Sequence, residues 1–370
     1  MKLYSDKIIL KDGIINGVIE INENTVSQIK LGETDKKDAW DFTGKVIMPG
    51  LINIQSNSFM HDCEKEYFSR YPDFKAFTHI ERVNAISGVT SIFHNFDIPR
   101  MQPYLSVEEI TDKINFVKAY KERKHIINHH VNVKFKLGDI NSDEFIEKLL
   151  KNGTVDLLHF VGGCSDLDFT NDYFFEYLKK RYNISERTAW AVIERLDKLK
   201  KEIALEELAY KLKYASEYNV PAATSAYALA SYDPEIKILI DPCEPEDTEY
   251  ARKSGKYATI DINNLWDFDK ISKYASGITD GTYNILTASH NCYDFLESVF
   301  YIGDDIGLIK AVCMATYNPA VAVGLKNKGE IAEGKDADLI VVDVSDKVPQ
   351  SIMTVCGGKV IARVDYIDGI

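Results

Sequence analysis

Apolar and polar positions divide this chain into two β-patterned ends around a long middle in which strand and helix patterns alternate. Near the start, residues 7–10 and 17–21 are short apolar runs, and Lys11-Asp12-Gly13 between them is a hairpin signal. Near the end, residues 329–343 lead into the run Leu339-Ile340-Val341-Val342, and residues 355–361 fold back on Gly357-Gly358. Such similar ends predict that residues 1–47 and 329–370 pair into one small β-sandwich. Between them, Val46-Ile47-Met48 meets the turn Pro49-Gly50, and a second run (Leu51, Ile52, Ile54) reads as a buried strand. That strand ends in Gln55, Ser56 and Asn57.

Further strand patterns occur at 89–93, 126–135, 155–161, 220–224, 236–240, 257–262 and 285–287. Helical spacing covers 77–86, 107–123, 142–151 (with Ser142 as N-cap) and 308–316, the last closed by Asn318-Pro319-Ala320. Residues 183–218 form a long, charged, amphipathic helical stretch. The acidic runs 233–235 and 244–249, beside Pro242 and Pro245, predict solvated loops. Strands alternating with helices predict a parallel (β/α)8 TIM barrel over residues 48–328. In such a barrel the carboxyl ends of the strands form the active-site face.

A length of 370 residues accommodates that barrel and a small second domain, and 45% hydrophobic with 27% charged residues is ordinary for a globular chain. The net charge of −13 disfavours nucleic acid and anionic membranes as general partners. No apolar run approaches a membrane span, and Met1-Lys2-Leu3-Tyr4 starts no signal peptide, so a cytoplasmic location is expected. The six cysteines are scattered, which reads as reduced small hydrophobes. Cys164, after Gly162-Gly163, has no evident His partner as a nucleophile.

The eight histidines contain no His-x-His pair. His129 and His130 are adjacent, so on a strand they point to opposite faces and cannot share a metal. His94 at the end of the second strand and His290 near the eighth are the acid–base candidates. Lys134 and Lys136 share one strand face, as do Gln55 and Asn57. If the lysines face the barrel interior they would suit an anion; solvated strand-end lysines are the equal alternative.

Several motifs resemble the amidohydrolase superfamily: Met48-Pro49-Gly50-Leu51-Ile52, the spacing Gly329-x-Ile331-x-x-Gly334-x-x-Ala337-Asp338-Leu339, and Thr316-x-Asn318-Pro319-Ala320-x-x-x-Gly324-Leu325. Ser87-Gly88-Val89-Thr90, the aromatic run 173–182 and Val220-Pro221-Ala222-Ala223-Thr224-Ser225 are similar to its phosphonate-pathway hydrolases. That resemblance implies an amidohydrolase-type barrel and metal-dependent hydrolysis of a phosphorylated substrate. It also implies ligand positions that here hold other residues. The first-strand His and Asp become Gln55 and Asn57, and a middle-strand Glu becomes Lys136. A ligand loop becomes Val161-Gly162-Gly163, a His in the sixth-strand region becomes Ser225, and the final Asp becomes Ser289. A metal-free site is therefore expected, with no cofactor, in a divergent or inactive relative (a pseudoenzyme). It would bind a small anionic, phosphorylated ligand through Gln55, Asn57, Lys134, Lys136, Gly162, Gly163, Ser225 and Ser289. An active hydrolase holding a divalent metal such as zinc is the alternative, and a homo-oligomer is left open.

Overall fold

The computed structural model describes residues 1–33, 36–63, 72–98, 107–123, 125–136, 143–161, 179, 185–191, 194, 209, 211–213, 215–225, 235–242, 245–264, 281–290, 292–346 and 348–365. Strands β1 (Lys2–Leu10), β2 (Gly13–Asn22), β3 (Thr25–Leu31), β4 (Trp40–Asp41) and β5 (Val46–Pro49) open the chain. Eight strands follow: β6 (Leu51–Ser56), β7 (Val89–Ile98), β8 (Asn128–Lys136), β9 (Leu157–Val161), β10 (Ala222–Thr224), β11 (Ile236–Leu239), β12 (Tyr257–Asp261) and β13 (Asn284–Thr287). The chain closes with β14 (Leu339–Asp343), β15 (Gln350–Cys356) and β16 (Lys359–Arg363).

Both ends share a single sheet in the order β16-β15-β14-β5-β1-β2-β3, with β4 alongside β1. The join is β5, parallel to β1 and antiparallel to β14. Its residues alternate between two cores: Ile47 packs with Leu3, Ile8, Leu339 and Val341, whereas Val46 and Met48 pack with the large barrel core. Burial on both faces is why β5 and β14 read as unbroken apolar runs.

Asp338 bolts this sheet to the barrel. Its buried carboxylate accepts hydrogen bonds from Lys328 Nζ (2.6 Å), Gly357 N–H (2.6 Å) and Asn128 Nδ2 (3.2 Å), the last at the base of β8. Asp338→Ala would leave the Gly357 N–H without its acceptor and the Lys328 ammonium with Asp336 Oδ2 alone (2.8 Å), so it is expected to cost about 1–3 kcal/mol of unfolding free energy in urea titration.

Strands β6 to β13 form one parallel sheet in sequence order. Its first and last strands meet at a seam. Asn53 Nδ2 donates to Ala288 O (2.8 Å), and Asn57 N–H donates to Ser289 O (2.7 Å). The ring of strands is thus nearly closed. Around it lie α1 (Ser58–Cys63), α2 (Asp73–Ile86), α3 (Val107–Lys121), α4 (Asp143–Lys151), α5 (Pro245–Lys253), α6 (Phe295–Ile306), α7 (Leu308–Ala315) and α8 (Tyr317–Ala322).

Three of these differ from the sequence-based expectations. The acidic stretch 244–249 is helical from Pro245 onward, not a loop. Proline suits a first helical turn, and Arg252 and Lys253 occupy the last turn, where cations complement the helix dipole. Residues 317–322 begin a new short helix, and Asn318 Nδ2 donates to Gly281 O (2.9 Å) and Asn284 O (2.7 Å), tying it to β13. Helix α6 went unanticipated, because its apolar spacing runs straight into that of α7 across Gly307 (φ 94°). Most of 183–218 lies outside the described residues, as does 233–234. No described helix is long and apolar enough to cross a membrane.

Candidate functional site: the barrel mouth

Strand parity sorts the barrel side chains. On β7, Ile92, Phe96 and Ile98 pack outward with the helices, while Phe93 packs inward with Ile52, Ile54, Leu157, Ala223, Ile238 and Ile285. The same alternation makes Asn95, Asp97, Asn132, Lys134, His159, Thr259, Asp261 and Thr287 inward-facing, above that apolar layer, with Asp97 exposed and in register beside Lys134. Polar groups thus collect at the carboxyl ends of the strands.

An irregular register between β6 and β7 turns both Gln55 and Asn57 inward. They converge on one partner: Asn95 Nδ2 donates to Asn57 Oδ1 (2.9 Å) and lies 3.5 Å from Gln55 Oε1. Asn132 Nδ2 in turn donates to Asn95 Oδ1 (2.8 Å). Next around the mouth, Lys134 is paired in register with His159. Among the described residues no hydrogen bond or ion pair holds the Lys134 ammonium; its charge is felt by His159 and by Asp241. The Asp241 N–H donates to Thr259 Oγ1 (2.8 Å), whose hydroxyl donates to Asp241 Oδ1 (2.9 Å). Asp261 Oδ1 accepts from Asn263 N–H (3.0 Å) and Nδ2 (2.6 Å), and Asn263 Nδ2 lies 3.5 Å from Ser289 Oγ. Ser289 O receives the Asn57 N–H, so the ring of polar residues closes on itself.

Two features single out this ring as the candidate site. The first is its unpartnered buried atoms: Gln55 Nε2, Asn132 Oδ1, Thr287 Oγ1 and both ring nitrogens of His159. Gln55 and His159 are each only 3% exposed. A buried polar atom without a partner costs about 1–3 kcal/mol, so each of these atoms is left with unused hydrogen-bonding capacity. The second is its electrostatics. Burial pushes the Asp241 carboxyl up, the neighbouring Asp261 charge adds to this against Lys134, and the group titrates at about 6. Burial, then Lys134, pushes His159 well below the usual imidazole range, so it is neutral. Asp241 also has a left-handed backbone (φ 46°), an uncommon conformation for a residue other than glycine.

The sequence candidates divide. Gln55, Asn57, Lys134 and Ser289 do meet at the mouth. Ser225 is exposed and follows β10, the fifth barrel strand, not the sixth. Lys136 ends β8, but its side chain, like Gly162, Gly163 and Cys164, lies outside the described residues. His290 is exposed beside the seam, where its carbonyl accepts from Ser58 Oγ (3.1 Å). His94 is not at the mouth. Strand β7 runs on to Ile98, so His94 is in mid-strand and points outward, fully buried against Phe59 and Phe77. There His94 Nε2 shares a proton position with His129 Nδ1 (2.9 Å), and His129 Nε2 reaches Glu81 Oε1 (3.0 Å). His130, on the opposite face, stacks on Phe93 inside the barrel.

Sequence reasoning missed Asn95, Asn132, His159, Asp241 and Asp261. Parity held the signal for three of them: Asn95 is two residues from Phe93, Asn132 two from Lys134, and His159 two from Leu157.

Comparisons with known proteins fit this architecture. Residues 278–364 match the Amidohydrolase family. Over 369 residues the chain is 23% identical to the alpha-D-ribose 1-methylphosphonate 5-triphosphate diphosphatase of Escherichia coli (strain K12), covering 94% of this chain and 96% of that one. In fold it is similar to the 5-methylcytosine deaminase of Klebsiella pneumoniae liganded with phosphonocytosine (TM-score 0.67, 12% identity, 100% of both chains). It is also similar to the beta-aspartyl dipeptidase of Fervidobacterium islandicum AW-1 (TM-score 0.66, 14% identity, 98% of this chain and 96% of that one).

Proposed function

We propose that this relative of the amidohydrolases binds a small anionic ligand at its barrel mouth without a metal ion. The Lys134 ammonium, unpaired among the described residues, carries the reading. It stands among buried, unpartnered hydrogen-bonding groups where an amidohydrolase metal centre would need anionic donors.

The donor set does not fit a binuclear transition-metal centre. Such ions take imidazole, thiolate or carboxylate ligands in a tight constellation. The first strand offers the amides Gln55 and Asn57, and the end of the last offers Ser289. Among the described residues, no three His, Cys, Asp or Glu side chains come together to hold a metal. Lys134 adds positive charge, which repels a cation and attracts an anion. Gln55 Nε2 supplies a free donor to the same guest. Asp241, titrating at about 6, and neutral His159 are the proton-exchanging groups beside it.

The rival reading is a metal-dependent hydrolase acting on a phosphorylated substrate; the name of the Escherichia coli relative describes that protein as a diphosphatase of a ribose triphosphate. Similarity over 94% of the chain favours it. Elemental analysis of protein purified without added metal separates the two. Transition metal well below one equivalent per chain is expected, together with stabilisation by inorganic phosphate. Near two equivalents of tightly held metal would establish the rival.

A further inference from the structure

The described charged groups of the mouth are Lys134 and three aspartates, of which Asp97, exposed near the end of β7, lies in register beside Lys134. Lys134 projects from β8, the third barrel strand, whereas Asp241 follows β11 and Asp261 ends β12, the sixth and seventh. In an eight-stranded ring Asp261 lies across from Lys134, and Asp241, three strands round, is near enough to feel its charge. The unpartnered donor Gln55 Nε2 stands on the first strand, one beyond the Asn95–Asn132 pair and two strands from both Lys134 and Asp261.

The acidic side, Asp241 and Asp261, is held in place. One hydroxyl, Thr259 Oγ1, engages both the backbone and the carboxylate of Asp241, fixing a strained residue with its side chain toward Asp261. Asp261 takes both its hydrogen bonds on Oδ1, and its Oδ2 has no partner among the described residues. Two neighbouring carboxylates in a desolvated site favour a proton or a cation between them. Burial first, and the Asp261 charge second, push the Asp241 carboxyl up to about 6. His159, buried and unpartnered, stands beside Lys134 with a free donor and a free acceptor.

We infer that the mouth takes a dipolar ligand, a small molecule whose anionic end meets Lys134 and Gln55 while an ammonium at its other end meets Asp241 and Asp261. This rests on the anion-binding reading above and narrows it. A polyanion filling the mouth would set its far charges against two carboxylates. A zwitterion matches both sets of groups and leaves the chain's charge balance at the site unchanged.

Calorimetric titration of the full chain at neutral pH with four probes tests the inference: γ-aminobutyrate, butyrate, butylamine and tripolyphosphate. On the wild type, γ-aminobutyrate is expected to bind at least about tenfold tighter than either single-charge analogue, a factor typical of one added charge-assisted hydrogen bond. Asp241→Asn should erase its advantage over butyrate without weakening butyrate, and Lys134→Met should erase its advantage over butylamine. Butyrate binding as tightly as γ-aminobutyrate overturns the dipolar assignment and leaves the anion site standing. Tripolyphosphate binding tightest, and tighter still in Asp241→Asn, does the same. Butylamine binding while butyrate does not overturns both readings, as does the absence of binding by every probe. The wild-type comparison needs no variant, so a misfolded mutant does not rescue the inference.

Discussion

Glu81→Ala is expected to lower the unfolding free energy by about 3–5 kcal/mol, because it removes the acceptor from a buried charged network. Glu81 sits on α2 with its carboxylate turned toward the barrel wall. It accepts from Tyr120 O–H (2.7 Å), from Ile126 N–H (3.0 Å) and at His129 Nε2 (3.0 Å), so one side chain joins α2, α3, the loop before β8 and β8 itself. Truncation strands all three donors among Phe77, Phe116 and Tyr120, where water does not replace it. Glu81→Gln keeps the shape and part of the hydrogen bonding, and should cost roughly half as much. Urea denaturation of both variants measures this; losses below about 1 kcal/mol for the alanine variant would refute it.

The same network sets a pH dependence. Burial pushes His129 down to about 4, against the opposing pull of Glu81. Burial likewise lowers His94, His130 and His159. Folding therefore holds four imidazoles neutral that titrate at about 6.5 in the unfolded chain. The unfolded state binds more protons below that value, so stability is full above it and falls as pH drops toward about 4. Asp241 works the other way, since its raised carboxyl favours the folded state as pH falls below about 6. Four histidines outweigh one carboxyl, and the net expectation is loss of stability between about 6.5 and 4. A thermal melt unchanged across that range would contradict it.

At the mouth, Lys134→Met should weaken phosphate binding by about 10- to 100-fold, the equivalent of losing a charged hydrogen bond of about 1.5–3 kcal/mol. Methionine retains the apolar stem, so packing against β9 should survive and the unfolding midpoint should move little. Gln55→Leu should weaken the same ligand several-fold, since a single uncharged donor is lost at a contact the ammonium still makes. Titration of phosphate against both variants ranks them. An equal loss in the two, or none in Lys134→Met, would mean that the ammonium does not contact the anion.

Much of the architecture was legible along the chain, and for local reasons. Lys11-Asp12-Gly13 and Gly357-Gly358 carry turn chemistry that closes a hairpin wherever it is placed. Gly88, at φ 83° before β7, starts the second barrel strand as its Ser-Gly-Val-Thr context predicts. The eight barrel strands appear as short apolar runs because their outer faces are all covered by helices or by the terminal sheet. Period two likewise placed His129 and His130 on opposite faces and put Gln55 with Asn57.

What the amino-acid order determined alone was therefore the type of most elements, though not of α5 or α6, the pairing of the chain's ends, and which neighbours on one strand share a face. The tertiary structure alone decided which of those faces points into the barrel and which residues on different strands meet there. His94 shows why: its chemistry suited an active site, but β7 extends four residues past it, and its parity directs it to α2 and Glu81. Asp241 shows the converse. An aspartate before a proline in an acidic stretch looks solvated in sequence, and only a left-handed backbone and the Thr259 hydroxyl turn it inward beside Asp261. The physical cause is the same in both cases. Strand register and backbone twist are set by packing between segments far apart in the chain, and a site made from eight strand ends exists only once that packing is complete.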